Sequence, residues 1–242
     1  MLETGLASDR ELPDRGLMGQ AIGDILPLAI GVAISPVPII AVVLMLGTPR
    51  ARSNGPAFAA GWVAGLTIVG AIVLLLASGN AAEDTGEPAT WAGALKLVFG
   101  VLFLLMAARI WRGRPKPGQE AQMPKWMQAL DTFTAGKSLG AGFLLSAVNP
   151  KNLALTLAAA AAIAQTGISG GEQAVALGVF VLLGSVTILA PVVIYFAMGA
   201  RAKDILDGLR TWMAAHNAAI MTVLLLVLGA KLIGDAIAGL SS

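Results

Sequence analysis

Cysteine is absent from the 242 residues, and histidine occurs once. The first absence removes thiol redox chemistry, thiolate metal sites and palmitoylation of the chain. The single histidine argues against an imidazole-built metal or haem site. Charge is the third scarcity: 12% of the residues are charged and the formal net charge is +2, where a soluble domain carries about 25%. No long basic run accompanies this weak charge, so nothing points to nucleic acid. The chain also lacks a phosphate-binding Gly-Lys-Ser/Thr loop, a His-Glu-x-x-His pair and a nucleophile elbow. An intramembrane hydrolase would still need a base or paired acids, and the apolar stretches are nearly devoid of both. The expectation is a protein that is not an enzyme and uses no cofactor and no metal.

Apolar side chain fills the place of what is missing. The hydrophobic fraction is 57% and the mean hydropathy is +0.80. A soluble domain of this length has no interior large enough to hide it, so the chain reads as an integral membrane protein. Disorder and a secreted disulfide scaffold are excluded. A spanning helix needs about 20 mostly apolar residues. Six segments qualify, at 21–46, 57–78, 91–112, 138–165, 173–198 and 216–238. They are apolar all round instead of alternating, which excludes the strands of a membrane barrel. The predicted fold class is an all-α integral membrane protein with six transmembrane helices. Its expected parts are a polar N-terminal tail (1–17), a first three-helix repeat (18–112), a basic cytoplasmic loop (113–137) and a second three-helix repeat (138–242).

Eleven of the sixteen basic residues fall on the odd-numbered connections, among them Arg50, Arg52, Arg109, Arg112, Lys137, Arg201 and Arg210. The connection after the second span is acidic instead, with Glu83, Asp84 and Glu87. Basic loops stay inside, so these connections are assigned to the cytoplasm and both termini to the outside of a plasma (inner) membrane. The tail lacks the basic start of a signal peptide. Trp91, Trp111, Trp126 and Trp212 lie near the expected interfaces, as an aromatic belt predicts. Residues 123–130 read as a short amphipathic helix on the inner leaflet or as plain orientation signalling.

Two spans are interrupted in matching places. The first carries Ser35-Pro36-Val37-Pro38 and the fourth carries Asn149-Pro150-Lys151-Asn152. Proline removes a backbone donor and clashes with the preceding turn, so the helix is expected to unwind there. The freed carbonyls must find partners, because lipid offers none. Three spans in each half invert the second copy. The result is a 3+3 inverted repeat, with the substrate site at the paired discontinuous helices. Ser35, Pro36, Pro38, Asn149, Pro150, Lys151 and Asn152 are therefore the candidate transport pathway. The plainer reading is a pair of proline kinks that shape packing. Lys151 costs about 2.5–3.5 kcal/mol at the bilayer centre. It reads either as an anion-facing or counter-ion position in the pathway, or as a salt bridge or carbonyl clamp that holds the break.

Other intramembrane charges have plainer readings. Lys96 is placed to snorkel to the outer face, and Asp24 lies toward that face. Lys231 and Asp235, four apart, form an intrahelical pair. The small residues of 61–65 and 158–162 allow close helix contact, within the subunit or across an expected homodimer.

The run from Ile34 to Ile39, the stretch from Thr48 through Arg50, Arg52 and Asn54 to Gly61-Trp62, and Asn149-Pro150-Lys151-Asn152-Leu153 occur in this order. Together they resemble the peptidoglycolipid-addressing (GAP) family, which includes sulfolipid-1-addressing proteins, within the lysine-exporter (LysE) superfamily. The resemblance runs over nearly the whole chain from Met18 onward. It implies a six-helix, transporter-like protein of an actinobacterial inner membrane. It implies export or flipping of a glycolipid or related envelope lipid, with membrane lipids and the cargo as partners. The family residues map onto Ser35, Pro36, Pro38, Asn149, Pro150, Lys151 and Asn152, and onto Arg50, Arg52 and Asn54. The last three would meet an acidic head group at the cytoplasmic end, or the arginines would only set topology. Two other functions remain open: export of a small solute such as an amino acid, and a non-transporting scaffold for a larger lipid exporter.

Overall fold

The computed structural model describes residues 12–80, 90–114 and 132–240. The first eleven residues of the expected tail, the acidic positions Glu83, Asp84 and Glu87, and most of the expected basic loop with its 123–130 helix lie outside them. Among the described residues the regular structure is helical. The elements are α1 (Leu12–Ala33), α2 (Pro36–Leu46), α3 (Ala51–Asn80), α4 (Thr90–Arg112), α5 (Ala135–Ala147), α6 (Pro150–Gln165), α7 (Gly170–Met198) and α8 (Ala202–Leu240). The helical α1 therefore takes in the last residues expected to be tail. Four segments are long and apolar enough to cross a membrane: Gly16–Ala33, Ala51–Ala77, Gly170–Met198 and Ala202–Ala238. Leu75, Leu105, Val193 and Val223 point outward along this bundle. Apolar side chains tolerate such exposure only against an apolar solvent.

Both expected interruptions occur, but the prolines do not unwind the chain. α1 stops at Ala33, and Pro36 and Pro38 stand in the first turn of α2. There the missing N–H has no intrahelical acceptor to lose, and proline's fixed φ starts a helix. The interruption is the two residues before them, Ile34 and Ser35. Likewise, α5 ends at Ala147, Asn149 caps α6 through its side chain, and Pro150 is the first residue of α6. The start of α7 carries a capping box, in which Ser169 accepts from the Glu172 amide and Glu172 accepts from the Ser169 amide at 2.9 Å.

Between 199 and 215, where the charge pattern suggests a connecting loop, the chain takes one 3₁₀ turn and then enters α8. Ala202, Leu206 and Met213 are buried on one side of its first turns, while Lys203, Asp204 and Asp207 are exposed. Apolar residues at helical spacing make this stretch an amphipathic helix, which a count of charges alone reads as loop.

Glycines decide which helices approach most closely. A Cβ on Gly61 of α3 would strike the Leu139 carbonyl of α5, and one on Gly142 of α5 would strike the Phe58 carbonyl of α3. Gly100 and Gly229 bring α4 and α8 together in the same reciprocal way. Ala158, Ala159, Ala160 and Ala161 are buried within α6, which packs on α1 and α3. The small-residue faces thus serve contacts inside the subunit.

Replacing Gly61 or Gly142 by alanine forces α3 and α5 apart, at a cost of about 1–3 kcal/mol. The expected outcome is a lowered thermal unfolding midpoint in detergent for both variants. Gly178→Ala, where an added Cβ meets nothing within 4 Å, should leave the midpoint unchanged or raise it.

Candidate functional site

A helix that ends inside a bundle leaves its last carbonyls without intrahelical donors. At the end of α1 each of them can be followed to a partner. Ile30 O accepts from the Ile34 amide at 2.9 Å. Gly31 O accepts from Lys151 Nζ at 2.6 Å, and Val32 O from the Ser35 hydroxyl at 2.7 Å. Ala33 O accepts from the Ser35 amide at 2.9 Å and from the Thr187 hydroxyl of α7 at 2.6 Å. Ile34 O accepts from Lys151 Nζ at 3.0 Å. Ser35 O accepts from the Ile39 amide at 3.2 Å, which opens α2.

Lys151 is the centre of this arrangement. Its third short contact, at 2.6 Å, donates to Ser35 Oγ. An ammonium has three protons, and here all three meet acceptors from the first break. No carboxylate is among these partners. The residue is 2% exposed, so the cation is balanced by the negative end of the α1 dipole and by aimed carbonyls. The first turn of α6 places Lys151 there, with Asn149 accepting from the Lys151 amide at 3.1 Å.

Asn152 ties the two breaks together. Its amide nitrogen donates to Leu145 O, near the end of α5, at 2.9 Å, and its Oδ1 stands 3.1 Å from Ser35 Oγ. Asn152 is fully buried, and Ser35, Pro36 and Pro38 are buried beside it. Asn149 is half-buried and Pro150 exposed. The pathway candidates therefore gather at one level of the bundle, joined into a closed polar knot. Of the two readings of Lys151, this geometry displays the carbonyl clamp. Thr187 escaped the sequence reading. Its only signal is a hydroxyl within an apolar span, and many such hydroxyls bond their own helix.

The three positions named for the cytoplasmic end behave differently from one another. Arg50 and Arg52 are exposed. Asn54 is fully buried and donates to Phe133 O at 3.0 Å. It faces the protein and anchors the chain that leads into α5, so it presents no group to a lipid head in this conformation. Arg50 reaches the same carbonyl at 3.5 Å.

Two cavities flank the knot, and neither is lined by Ser35, Lys151 or Asn152. One is an open groove of about 670 Å³ between α3 and α7, walled by residues such as Ala60, Val63, Ala64, Ile68 and Leu189. It lies on the half of the bundle that carries Arg50. The other, at the opposite end, holds Asp24, Lys96, Lys231 and Asp235. There the Lys96 Nζ donates to Gln165 Oε1 on α6 at 3.1 Å. Lys231 and Asp235 pair at 2.6 Å, as their spacing predicts.

Apolar spanning helices and two interrupted helices, the second of which satisfies backbone carbonyls of the first, define a multi-pass α-helical membrane protein. Residues 25–238 match the family described as Sap, sulfolipid-1-addressing protein, and the chain belongs to that family. No curated protein and no solved structure matches the chain. The motifs around Ser35, Arg50 and Lys151 all lie inside the matched interval.

Lys151→Met should strand the Gly31 and Ile34 carbonyls and lower stability by about 1–3 kcal/mol for each buried group left unpaired. Ser35→Ala should cost less alone. In a double-mutant cycle read by thermal unfolding, the pair should couple by about 0.5–3 kcal/mol. Strict additivity would show that the contacts carry no energy.

Proposed function

We propose that the protein exports or flips a glycolipid or related envelope lipid toward the cell surface, moving its cargo without converting it. Family membership supports the lipid class. The observation that carries the mechanism is the division between a closed polar knot and an open apolar groove. A small hydrophilic solute needs a polar path through mid-membrane. Here Ser35, Lys151 and Asn152, at that level, are already bonded to one another and to the ends of the broken helices. An acyl chain needs no such path, and the groove between α3 and α7 offers it an apolar wall open to the side.

In this reading the chain crosses an inner membrane six times with both termini outside. α4 has 23 residues, and α5 and α6 together have 29. At about 1.5 Å per residue, each stretch is long enough for a hydrocarbon core of roughly 30 Å. Each half then consists of one interrupted helix followed by two continuous ones, in inverted orientation. The resemblance of the motifs around Ser35, Arg50 and Lys151 supports kinship with the lysine exporters. The knot acts as the hinge level about which the halves rearrange, and Ser35, Lys151 and Asn152 are its switching contacts. A second copy of the chain completes the lipid path across the expected homodimer.

Lipidomics of a deletion strain tests the cargo class. Surface glycolipids should fall while intracellular precursors accumulate. Unchanged surface lipids with altered amino-acid efflux would replace this reading with the small-solute exporter. Lys151→Ala and Pro36→Ala should insert normally and lose export; wild-type activity in both would sink the proposed role of the knot. Purified protein that moves lipid in vesicles would eliminate the scaffold reading.

A further inference from the structure

The polar cavity at the end opposite Arg50 has a role that the lipid reading leaves open. Helices α1, α4, α6 and α8 enclose about 350 Å³, lined by Gln20, Asp24, Lys96, Gln165, Lys231 and Asp235 among others. Leu28, Ala158 and Leu232 form apolar parts of its wall. Asp24 lies seven residues before Gly31, and Ala158 seven residues after Lys151. At 1.5 Å per residue the cavity is about 10 Å from the knot, a separate place on the molecule.

Its charges are unusual in how little they neutralise one another. Lys231 is held by Asp235 on its own helix. Among the described residues Lys96 reaches a neutral acceptor, Gln165 Oε1. Asp24, half-buried, makes no hydrogen bond and no ion pair among the described residues. Half-buried as they are, the Lys96 ammonium and the Asp24 carboxylate keep hydrogen-bonding capacity that a molecule entering the cavity can take up.

The donor and acceptor pattern selects that partner. Two lysines and two aspartates sum to no net charge. A simple anion would be drawn to Lys96 but repelled by Asp24 and Asp235. A simple cation would meet the reverse. A hydroxyl both donates and accepts, so a polyol can accept from Lys96 and Gln amides while donating to Asp24. Bonds in which one partner is charged are the stronger kind. The volume lies at the small end of ligand pockets, which run from roughly 300 to 1,000 Å³. We propose that this cavity binds an uncharged, polyhydroxylated head group of sugar size on the side of the bundle opposite Arg50. The cargo assignment rests on the lipid-export reading; the binding chemistry does not.

Native mass spectrometry of the full chain, released from nanodiscs, tests this without transport. Nanodiscs doped with a neutral glycosyl diacylglycerol should yield glycolipid-bound protein roughly tenfold above those doped with phosphatidylglycerol. Asp24→Ala and Lys96→Met should each reduce that retention about tenfold, as expected for one lost charged hydrogen bond, with an unchanged unfolding midpoint. Displacement by free maltose would assign the site to sugar in either form; selectivity that resists maltose would assign it to sugar carried on lipid. Equal or greater retention of phosphatidylglycerol, or wild-type retention in both variants, would overturn the proposal. Because the readout is binding, it can hold while deletion-strain lipidomics rejects export, and the reverse.

Discussion

Everything else in this fold depends on one constraint: a helix that stops inside an apolar bundle must still satisfy its last carbonyls. Water is not there to do it. This chain answers with a lysine from the other half. Lys151 donates to Gly31 O, Ile34 O and Ser35 Oγ at 2.6–3.0 Å. Three donors on one nitrogen match three acceptors from one break. The cation also sits where the α1 dipole is negative. The bonds between them offset part of the cost of burying the ammonium and part of the cost of breaking the helix. Ser35 and Asn152 extend the arrangement so that the second break is tied to the first.

The knot divides the molecule into two chemically different ends. Toward Arg50 the space between α3 and α7 is an apolar groove. Asn54 and Arg50 there share the Phe133 carbonyl, which fixes the chain entering α5. At the far end the space is polar, with Lys96 and Gln165 linking α4 to α6. An amphipathic molecule finds both kinds of surface on one protein, on opposite sides of the level where Ser35, Lys151 and Asn152 are joined. Close glycine contacts hold α3 against α5, the first part of the second interrupted helix, and α4 against α8.

Much of this is legible in the residues. The apolar stretches announce membrane helices, and the Ser-Pro and Asn-Pro-Lys motifs mark where two of them stop. Other features resist a linear reading for physical reasons. Pro36 and Pro38 look like breakers, yet in a first turn they are starters, because whether a proline ends or begins a helix depends on which side of it the chain continues. Residues 202–215 look like a basic connection, yet their apolar positions share a face and fold as part of α8. Asn54 looks like a head-group contact, yet its burial against Phe133 is a long-range event.

By itself the sequence determined the class of environment, the helical content, the two interruptions and the families of motif that surround them. These follow from local composition and spacing, since hydropathy and proline geometry act within a few residues. Only the tertiary structure decided what Lys151 touches. Its partners lie more than a hundred positions away in the chain, and a buried amine can face a ligand, a carboxylate or a set of carbonyls with the same local sequence. The scarce charge of this chain sets the problem; the packing of α1 against α6 decides which acceptors the charge meets.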